Sequence, residues 1–437
     1  MTEETMQQTA KSQPGAAVGF LRRYSLWIAA AVVVLVLPYI FTSGSSISMM
    51  SQMGVMVVFA LSYNMLLGQG GMLSFGHAVY FGLGGFFTLH AINGVNNGAW
   101  SFPLELMPLV GGLGGLAFGI IFGWISTKRA GVTFALISLG IGELVAASAQ
   151  MFTDFFGGEG GISTNRVTAA NEASIFGFNY GPQIDIYYLV VVWAFLATIL
   201  IYLLTKTPLG RMANAVRDNP ERAQFVGYNP RMVRFAQFSL SGFFAGLAGG
   251  LFAIMFEILT AENLGAIQSG SVLLMTYIGG IGIFFGPIIG AILITWLQTS
   301  LSAFSEAWVL YFGLMFVFMV MYAPFGISGI IMQHYLPYKT GLLKRLLPAY
   351  GIAVIPTLIL LVGAVSIVEM GYHISTSYLP SRPMDLFWVS VVATNAWSWI
   401  IAGAIFVAGV FACRWSYRKV GRAWDDVNET LVERGLA

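Results

Sequence analysis

The chain has 437 residues, of which 57% are hydrophobic and only 9% charged, and its mean hydropathy is +0.77. That balance excludes a soluble globular core and a disordered chain; repeated apolar runs of about 20 residues mark an all-α, polytopic helical membrane protein. A net charge of +2 carries no nucleic-acid signature, and the single cysteine, Cys413, excludes an intrachain disulfide and a cysteine-based metal site.

Residues 1–24 read as a polar cytoplasmic tail, disordered over most of its length. The apolar run that follows is too long for a secretory signal and lacks a small-residue cleavage site, so it reads as an anchor. Apolar spans are placed at 25–43, 48–67, 72–93, 105–126, 131–153, 186–205, 235–256, 268–281, 285–303, 306–323, 347–368 and 387–413. They amount to about ten core spans within 25–335 and two more in a C-terminal extension, 336–437, that ends in a cytoplasmic tail.

Between the second and third spans, Gly68-Gln69-Gly70-Gly71 reads as a turn whose unwound backbone lines a translocation path. Asn64 precedes it, and Ser74 and His77 follow, three residues apart and so on one face of a helix. A lone membrane histidine more often bonds a neighbouring helix than carries a proton. Gly111, Gly115, Gly119 and Gly123 form one four-residue stripe, and Gly242, Gly246 and Gly250 another. Such stripes serve helix packing or a dimer seam.

Glu143 is the one acid placed well inside a span, where a charge costs about 2.5–3.5 kcal/mol, so it should face the bundle interior or a wet path. It reads either as a functional group or as a structural acid, and Gln150, seven residues on, shares its face. Further along, Phe155-Phe156-Gly157-Gly158-Glu159-Gly160-Gly161 reads as a flexible exterior loop or an unstructured turn.

Charge is concentrated in the loop over 206–234, which holds Arg211, Arg217, Asp218, Glu221, Arg222, Arg231 and Arg234. Within it Asn219 suits an N-cap, Pro220 the first helical position and Glu221 the positive end of the helix dipole, while Gly227 suits the stop. This spacing predicts a surface helix of roughly two turns. The eighth span is short, and with the ninth it forms a hairpin or a broken pair around Gly279, Gly280 and Gly282.

With the N-terminus inside, all of the 21 Lys and Arg except Arg166 and Arg382 fall in cytoplasmic segments or at their edges. The exterior segments carry acids such as Asp154, Glu159, Glu172, Asp185, Glu262 and Glu306. No phosphate-binding loop, zinc-protease motif or Cys/His cluster occurs, so the chain is not expected to hydrolyse nucleotide or to need a cofactor or metal. Gly326-Ile327-Ser328-Gly329 matches a short membrane serine-protease pattern but lacks the histidine base on a following span.

Four stretches resemble the permease subunits of bacterial ABC importers for branched-chain amino acids, a family that includes urea and amide importers. Asn64-Met65-Leu66-Leu67-Gly68 through Leu73-Ser74-Phe75-Gly76-His77-Ala78 to Gly82-Leu83-Gly84-Gly85 is similar to one signature of that family, and Gly131-Val132-Thr133-Phe134-Ala135 through Glu143 to another. Gly210-Arg211-Met212-Ala213-Asn214-Ala215-Val216-Arg217-Asp218-Asn219, followed by Gly227 and by Ser241 through Gly249, resembles the block such permeases present to their ATPase. Gly279 through Ala291 and Ala323-Pro324-Phe325-Gly326 resemble the family's closing segment. The order and spacing agree over about residues 47–333; the chain beyond about 340 departs from the family's length, and its role stays open.

The resemblance implies a permease subunit, not itself an enzyme, in a bacterial inner membrane with both termini cytoplasmic. It would pair with a second permease, bind two cytoplasmic ATPase subunits and receive a small-molecule substrate, a branched-chain or related amino acid, from an extracytoplasmic binding protein. ATPase coupling would then fall to Gly210, Arg211, Arg217, Asp218, Asn219, Glu221 and Gly227, and the path to Asn64, Ser74, His77 and Glu143. The alternative is a stand-alone secondary transporter or channel with Glu143 and His77 as a proton relay.

Overall fold

The computed structural model describes residues 16–377 and 383–435. The first 15 residues of the expected tail and the exterior Arg382 lie outside the described residues. The chain divides into two compact units, 1–296 and 297–437.

In the first unit, α1 (Ala16–Ile40) and α2 (Gly44–Asn64) lead into a π-helical turn, Met65–Gln69, and then α3 (Ala78–Asn96). A 3-10 turn, Leu104–Leu106, opens α4 (Met107–Ser126), followed by α5 (Val132–Met151) and the short α6 (Thr153–Phe156) and α7 (Arg166–Glu172). After α8 (Gln183–Lys206) come α9 (Pro208–Asp218), α10 (Pro220–Phe225) and the 27-residue α11 (Pro230–Phe256). Helices α12 (Ala266–Gly279) and α13 (Gly286–Ser302) follow, the latter running across the boundary of the units. One two-stranded antiparallel ladder pairs β1 (Ile162–Ser163) with β2 (Ile258–Leu259).

Helix α11 is the axis of this unit, with 83% of its apolar window buried. Hydrocarbon provides no hydrophobic drive between helices, so close backbone contact has to hold them together, and glycine permits it. The two glycine stripes meet each other: a Cβ added at Gly246 would lie 2.3 Å from the Gly111 carbonyl oxygen, and one at Gly115 would lie 2.2 Å from that of Gly242. Their packing is therefore within the chain, and neither stripe is left free along those contacts for a dimer seam. Gly84 and Gly249 bring α3 onto the same helix, at 2.4 Å from Gly246 Cα and 1.8 Å from the Phe81 carbonyl respectively.

Among the described residues, eight helices are long and apolar enough to cross a bilayer, and a bent pair makes a ninth. Helix α12, with 14 residues, reaches only about 21 Å and is separated from α13 by a break containing Gly280 and Gly282 at positive φ. Of the hairpin and the broken pair that the glycines suggested, it is the hairpin: a Cβ at Gly290 would lie 1.8 Å from the Met275 carbonyl oxygen and one at Gly279 2.0 Å from that of Gly286, so the two helices fold back into contact. Three expectations change. The third span begins at Ala78, because residues 70–77 are not helical, so Ser74 and His77 do not share a helix face. The last span begins at Ala396, because residues 384–391 fold as a hairpin.

The third correction concerns residues 155–161, which are ordered rather than loose. Phe155 and Phe156 pack on Phe86, with ring centroids at 6.3 and 5.0 Å, and His90 Nε2 lies 2.8 Å from the Phe155 carbonyl oxygen. Gly157, Gly158 and Gly161 take positive φ, which lets so short a segment fold back on itself.

The second unit contains α14 (Trp308–Tyr322) and α15 (Gly326–Lys339), bent by 43° at the Pro324 junction, and two long helices, α16 (Leu343–Thr376) and α17 (Ala396–Glu433). The last two pack antiparallel: a Cβ at Gly363 would lie 2.5 Å from Phe406 N, and one at Gly409 the same distance from Leu360 Cα. Between them β3 (Met384–Leu386) pairs with β4 (Val389–Val391). With 38 residues, α17 is about 57 Å long against ~30 Å of hydrocarbon, so its charged C-terminal half, from Arg414 onward, projects beyond the bilayer.

Candidate functional site

The charged loop folds as two short helices set against the start of α11. Thr207 caps α9, its hydroxyl accepting from Gly210 N–H at 3.4 Å. Gly210 is obligatory there, since a Cβ would come within 2.3 Å of the Leu204 carbonyl oxygen where α8 turns into α9. Asn219 caps α10 as its sequence position suggested, its Oδ1 accepting from Arg222 N–H at 2.9 Å. The helix ends on Gly227 at φ +92, with Gly227 N–H donating to Gln224 O and Tyr228 N–H to Ala223 O in a Schellman arrangement.

Ala213, Val216, Ala223 and Val233 form the small core that holds these helices on α11, with Leu209 and Met212 against it. Arg211, Asp218 and Glu221 are exposed. So are Phe225 and Val226, at 91% and 72%, which sequence reasoning passed over. The signal was present, as an apolar pair inside a run of charge.

Arg217 turns inward. Its Nε donates to Asp218 Oδ1 at 2.9 Å, and its Nη1 donates to the carbonyl oxygen of Gly68 in the π-helical turn. Gly71, at φ +63, presses on the same side chain, where a Cβ would stand 2.7 Å from Arg217 Cγ. The π-turn is held from behind by Gln237 of α11, whose amide donates to Met65 O at 3.0 Å and to Gln69 Oε1 at 3.2 Å. The loop, the break after α2 and the axial helix are thus bonded into one unit.

The candidate path residues fall into two groups. Asn64, Ser74 and His77 are buried together near this break. The Ser62 hydroxyl donates to Phe59 O at 2.6 Å, so His77 Nε2, 3.0 Å from Ser62 Oγ, must be the donor in that pair. Its Nδ1 is then a bare acceptor and, with Asn64 Oδ1 and Ser74 Oγ, has no hydrogen-bond partner among the described residues. Phe59 stacks on the imidazole, with centroids 5.5 Å apart, and Tyr63 meets it edge-on.

Glu143 does not join them. The expectation that it faces the bundle interior is corrected, because within this chain it is exposed on α5 while its neighbour Gly142 takes the inner face against Gly76. Helix α5 has a period of 3.6 residues, and its inner face already goes to Ser138, Gly142, Val145 and Ala149. Gln150, as expected, lies on the exposed side with Glu143.

At the other end of α11, Arg166 is buried and clamps the helix terminus. Its guanidinium donates to Glu257 Oε2 at 3.0 Å, Tyr180 O at 2.9 Å and Met255 O at 3.2 Å, while its backbone N–H reaches Glu257 Oε1 at 2.8 Å. Burial, then the nearby Glu105 carboxylate, pushes the Tyr180 phenol above its ordinary value. This clamp was not read from the sequence, where its two charges lie 91 residues apart.

Residues 45–324 match the family model described as the branched-chain amino acid transport system permease component. The "High-affinity branched-chain amino acid transport system permease protein LivM" of Escherichia coli K12 is 26% identical over 324 residues, covering 70% of this chain and 75% of the relative. Its namesake in Salmonella typhimurium LT2 matches equally, and the probable LivM of Methanocaldococcus jannaschii is 24% identical over 63% of this chain and 90% of its own length. The "Fructose import permease protein FrcC" of Rhizobium meliloti is 25% identical over 47% of this chain and 59% of the relative. No solved structure matches. A family match over more than half the chain, on a polytopic helical scaffold with the expected helical loop, means that this protein belongs to the branched-chain amino acid transport system permease family.

Proposed function

We propose that the protein is the membrane subunit of an ATP-driven importer, carrying branched-chain or chemically related amino acids delivered by an extracytoplasmic binding protein. It works with a second permease and two cytoplasmic ATPase subunits in a bacterial inner membrane, with both termini in the cytoplasm. Relatives named for branched-chain amino acids and for fructose support a cargo among small polar solutes, within which the binding protein selects.

One observation carries this reading: the helical pair α9–α10 bears an exposed tip, Phe225 and Val226, and is bonded through Arg217 to the break in the second span. A groove on an ATPase that grips such a tip can move the break without deforming the pair, because Gly210, Asn219 and Gly227 fix its shape through close approach, capping and a left-handed stop. Arg211, Asp218 and Glu221 supply exposed charge around the tip. The secondary-transporter alternative needs a relay between Glu143 and His77, and no hydrogen bond among the described residues joins them: His77 bonds Ser62 while Glu143 lies on the outer flank of α5.

Reconstitution tests the proposal. The chain purified from its host should bring ATPase subunits and support ATP-dependent uptake in vesicles. Gradient-driven flux through the chain alone, without ATP, would overturn it.

A further inference from the structure

Helices α16 and α17 lie beyond residue 324, where the family match ends, and carry surfaces of their own. Their register follows from three contacts: Gly409 meets Leu360, Gly363 meets Phe406, and Arg345 Nη1 reaches Asp426 Oδ2 at 3.4 Å. At a rise of about 1.5 Å per residue, Arg414 then stands roughly level with Ile355, Arg418 with Ile352 and Arg422 with Leu347.

The two helices differ in polarity at these levels. The apolar run of α17 ends at Cys413, and its exposed side changes from Val407 and Phe411 to Arg414, Arg418 and Arg422. Helix α16 is still apolar there, with Leu347, Ile352, Val354 and Ile355 exposed. Trp415 and Tyr417, also exposed, sit at the changeover, as aromatic side chains do where hydrocarbon meets headgroups.

The arginines have no acid of their own. None occurs between Asp385 and Asp425, Asp426 is engaged by Arg345, and among the described residues no carboxylate comes within ion-pair distance of Arg414, Arg418 or Arg422. Lys419, by contrast, lies over the Trp415 ring at 3.9 Å. Beside the arginines runs a groove of about 270 Å³, lined by Tyr350, Ala353, Val354, Thr357 and Leu358 of α16 and Tyr417 of α17. Its Tyr350 end is fixed: the hydroxyl accepts from Trp424 Nε1 at 2.8 Å and donates to His334 Nε2 at 2.7 Å, because His334 Nδ1–H is committed to Ile330 O at 2.8 Å. Arg414 is three residues from Tyr417 and shares its side of α17, and Gly421, four residues beyond Tyr417, leaves open space.

We propose that α16 and α17 hold an anionic phospholipid, with an acyl chain along Val354 and Leu358 and the phosphate on Arg414 and Arg418. A soluble acidic partner would satisfy the arginines but leave the apolar groove in water; a phospholipid answers both at the edge of the bilayer. The site needs neither ATP nor cargo, so it stands apart from the importer reading.

Native mass spectrometry of the full-length chain, offered phosphatidylglycerol and phosphatidylcholine of equal chain length, tests the site. A basic residue at a membrane surface favours an anionic lipid roughly fivefold, so Arg414→Gln with Arg418→Gln should cut the preference for phosphatidylglycerol on the order of twentyfold. Arg414→Lys with Arg418→Lys should keep most of it, and Lys128→Gln with Arg129→Gln, which removes the same charge from another exposed edge, should leave it intact. Val354→Trp, which fills the groove and keeps both charges, should weaken retention of phosphatidylglycerol. Each changed side chain is exposed, so folding is spared. No loss in the Arg414→Gln, Arg418→Gln variant, or an equal loss in the Lys128→Gln, Arg129→Gln variant, would overturn the headgroup site; full retention in Val354→Trp would overturn the chain groove. In the assembled complex, on a Cys413→Ser background, a benzophenone maleimide at Tyr417→Cys should attach to phospholipid on irradiation. Attachment to a polypeptide, whether another subunit or a second copy of this chain, would assign the groove to a protein and overturn the lipid.

Discussion

Arg217→Ala isolates the link between the charged-loop helices, α9 and α10, and the π-helical turn after α2. The mutation removes two bonds of unequal weight. The pair with Asp218 is exposed, with side-chain accessibilities of 35% and 66%, and such pairs contribute about 0–1 kcal/mol. The bond to the Gly68 carbonyl is charge-assisted and part-buried, of a kind worth about 1.5–3 kcal/mol, and the partial exposure of Arg217 favours the lower end. A loss of about 1.5 kcal/mol lowers the population of the bonded state roughly tenfold relative to the unbonded one. In proteoliposomes holding the full complex, ATP hydrolysed per solute imported should rise by up to about that factor while hydrolysis itself persists. Asp218→Ala should leave the ratio near wild type, and Gly71→Ala, which drives a methyl group to 2.7 Å from Arg217 Cγ at a backbone φ of +63, should reproduce the defect. An unchanged ratio in Arg217→Ala, with the complex intact, refutes the mechanical link.

Four further outcomes are expected. Gly246→Ala should destabilise the detergent-solubilised chain by about 1–3 kcal/mol, because its methyl would meet the Gly111 carbonyl at 2.3 Å, while Gly140→Ala, with open space around it, should not; equal melting temperatures would contradict the packing. Phe225→Ala should reduce co-purification of the ATPase subunits without lowering the melting temperature, since its side chain is 91% exposed. Glu257→Ala should cost about 1.5–3 kcal/mol of thermal stability by stripping the buried Arg166 of its carboxylate, whereas Ile258→Ala beside it, 45% exposed, should cost little. Glu143→Gln should leave stability unchanged and slow uptake; if transport and stability are both unaltered, no ionic role for Glu143 survives.

Much of the charged-loop site was legible, because its signals are local. Asn219, Pro220 and Gly227 begin and end one short helix, and capping and left-handed stops depend on backbone conformation only a few residues away. The inward turn of Arg217 was not legible, because its partner Gly68 is 149 residues distant and offers only a carbonyl oxygen, which every residue possesses. Glu143 misled for a related reason. Its depth follows from the apolar run around it, but the side of α5 that faces the rest of the chain is decided by whichever residues let Gly76 approach, and Ser138 and Gly142 do. The break before α3 was hinted at by Gly68, Gly70 and Gly71, yet hydropathy alone extended the span through Ser74, since apolarity measures burial rather than hydrogen-bond pattern.

By itself the sequence determined that the chain crosses the membrane many times, which loop carries the charge and one of the two short helices that loop forms, since hydropathy, charge bias and caps act over a few residues and need no partner. Tertiary structure decided that the glycine stripes lock onto each other, that Arg166 and Glu257 meet, that Arg217 reaches the broken span and that Glu143 faces outward. Each of those depends on which surfaces approach within a few ångströms, a quantity settled by the packing of distant segments against one another and written in no single stretch of residues.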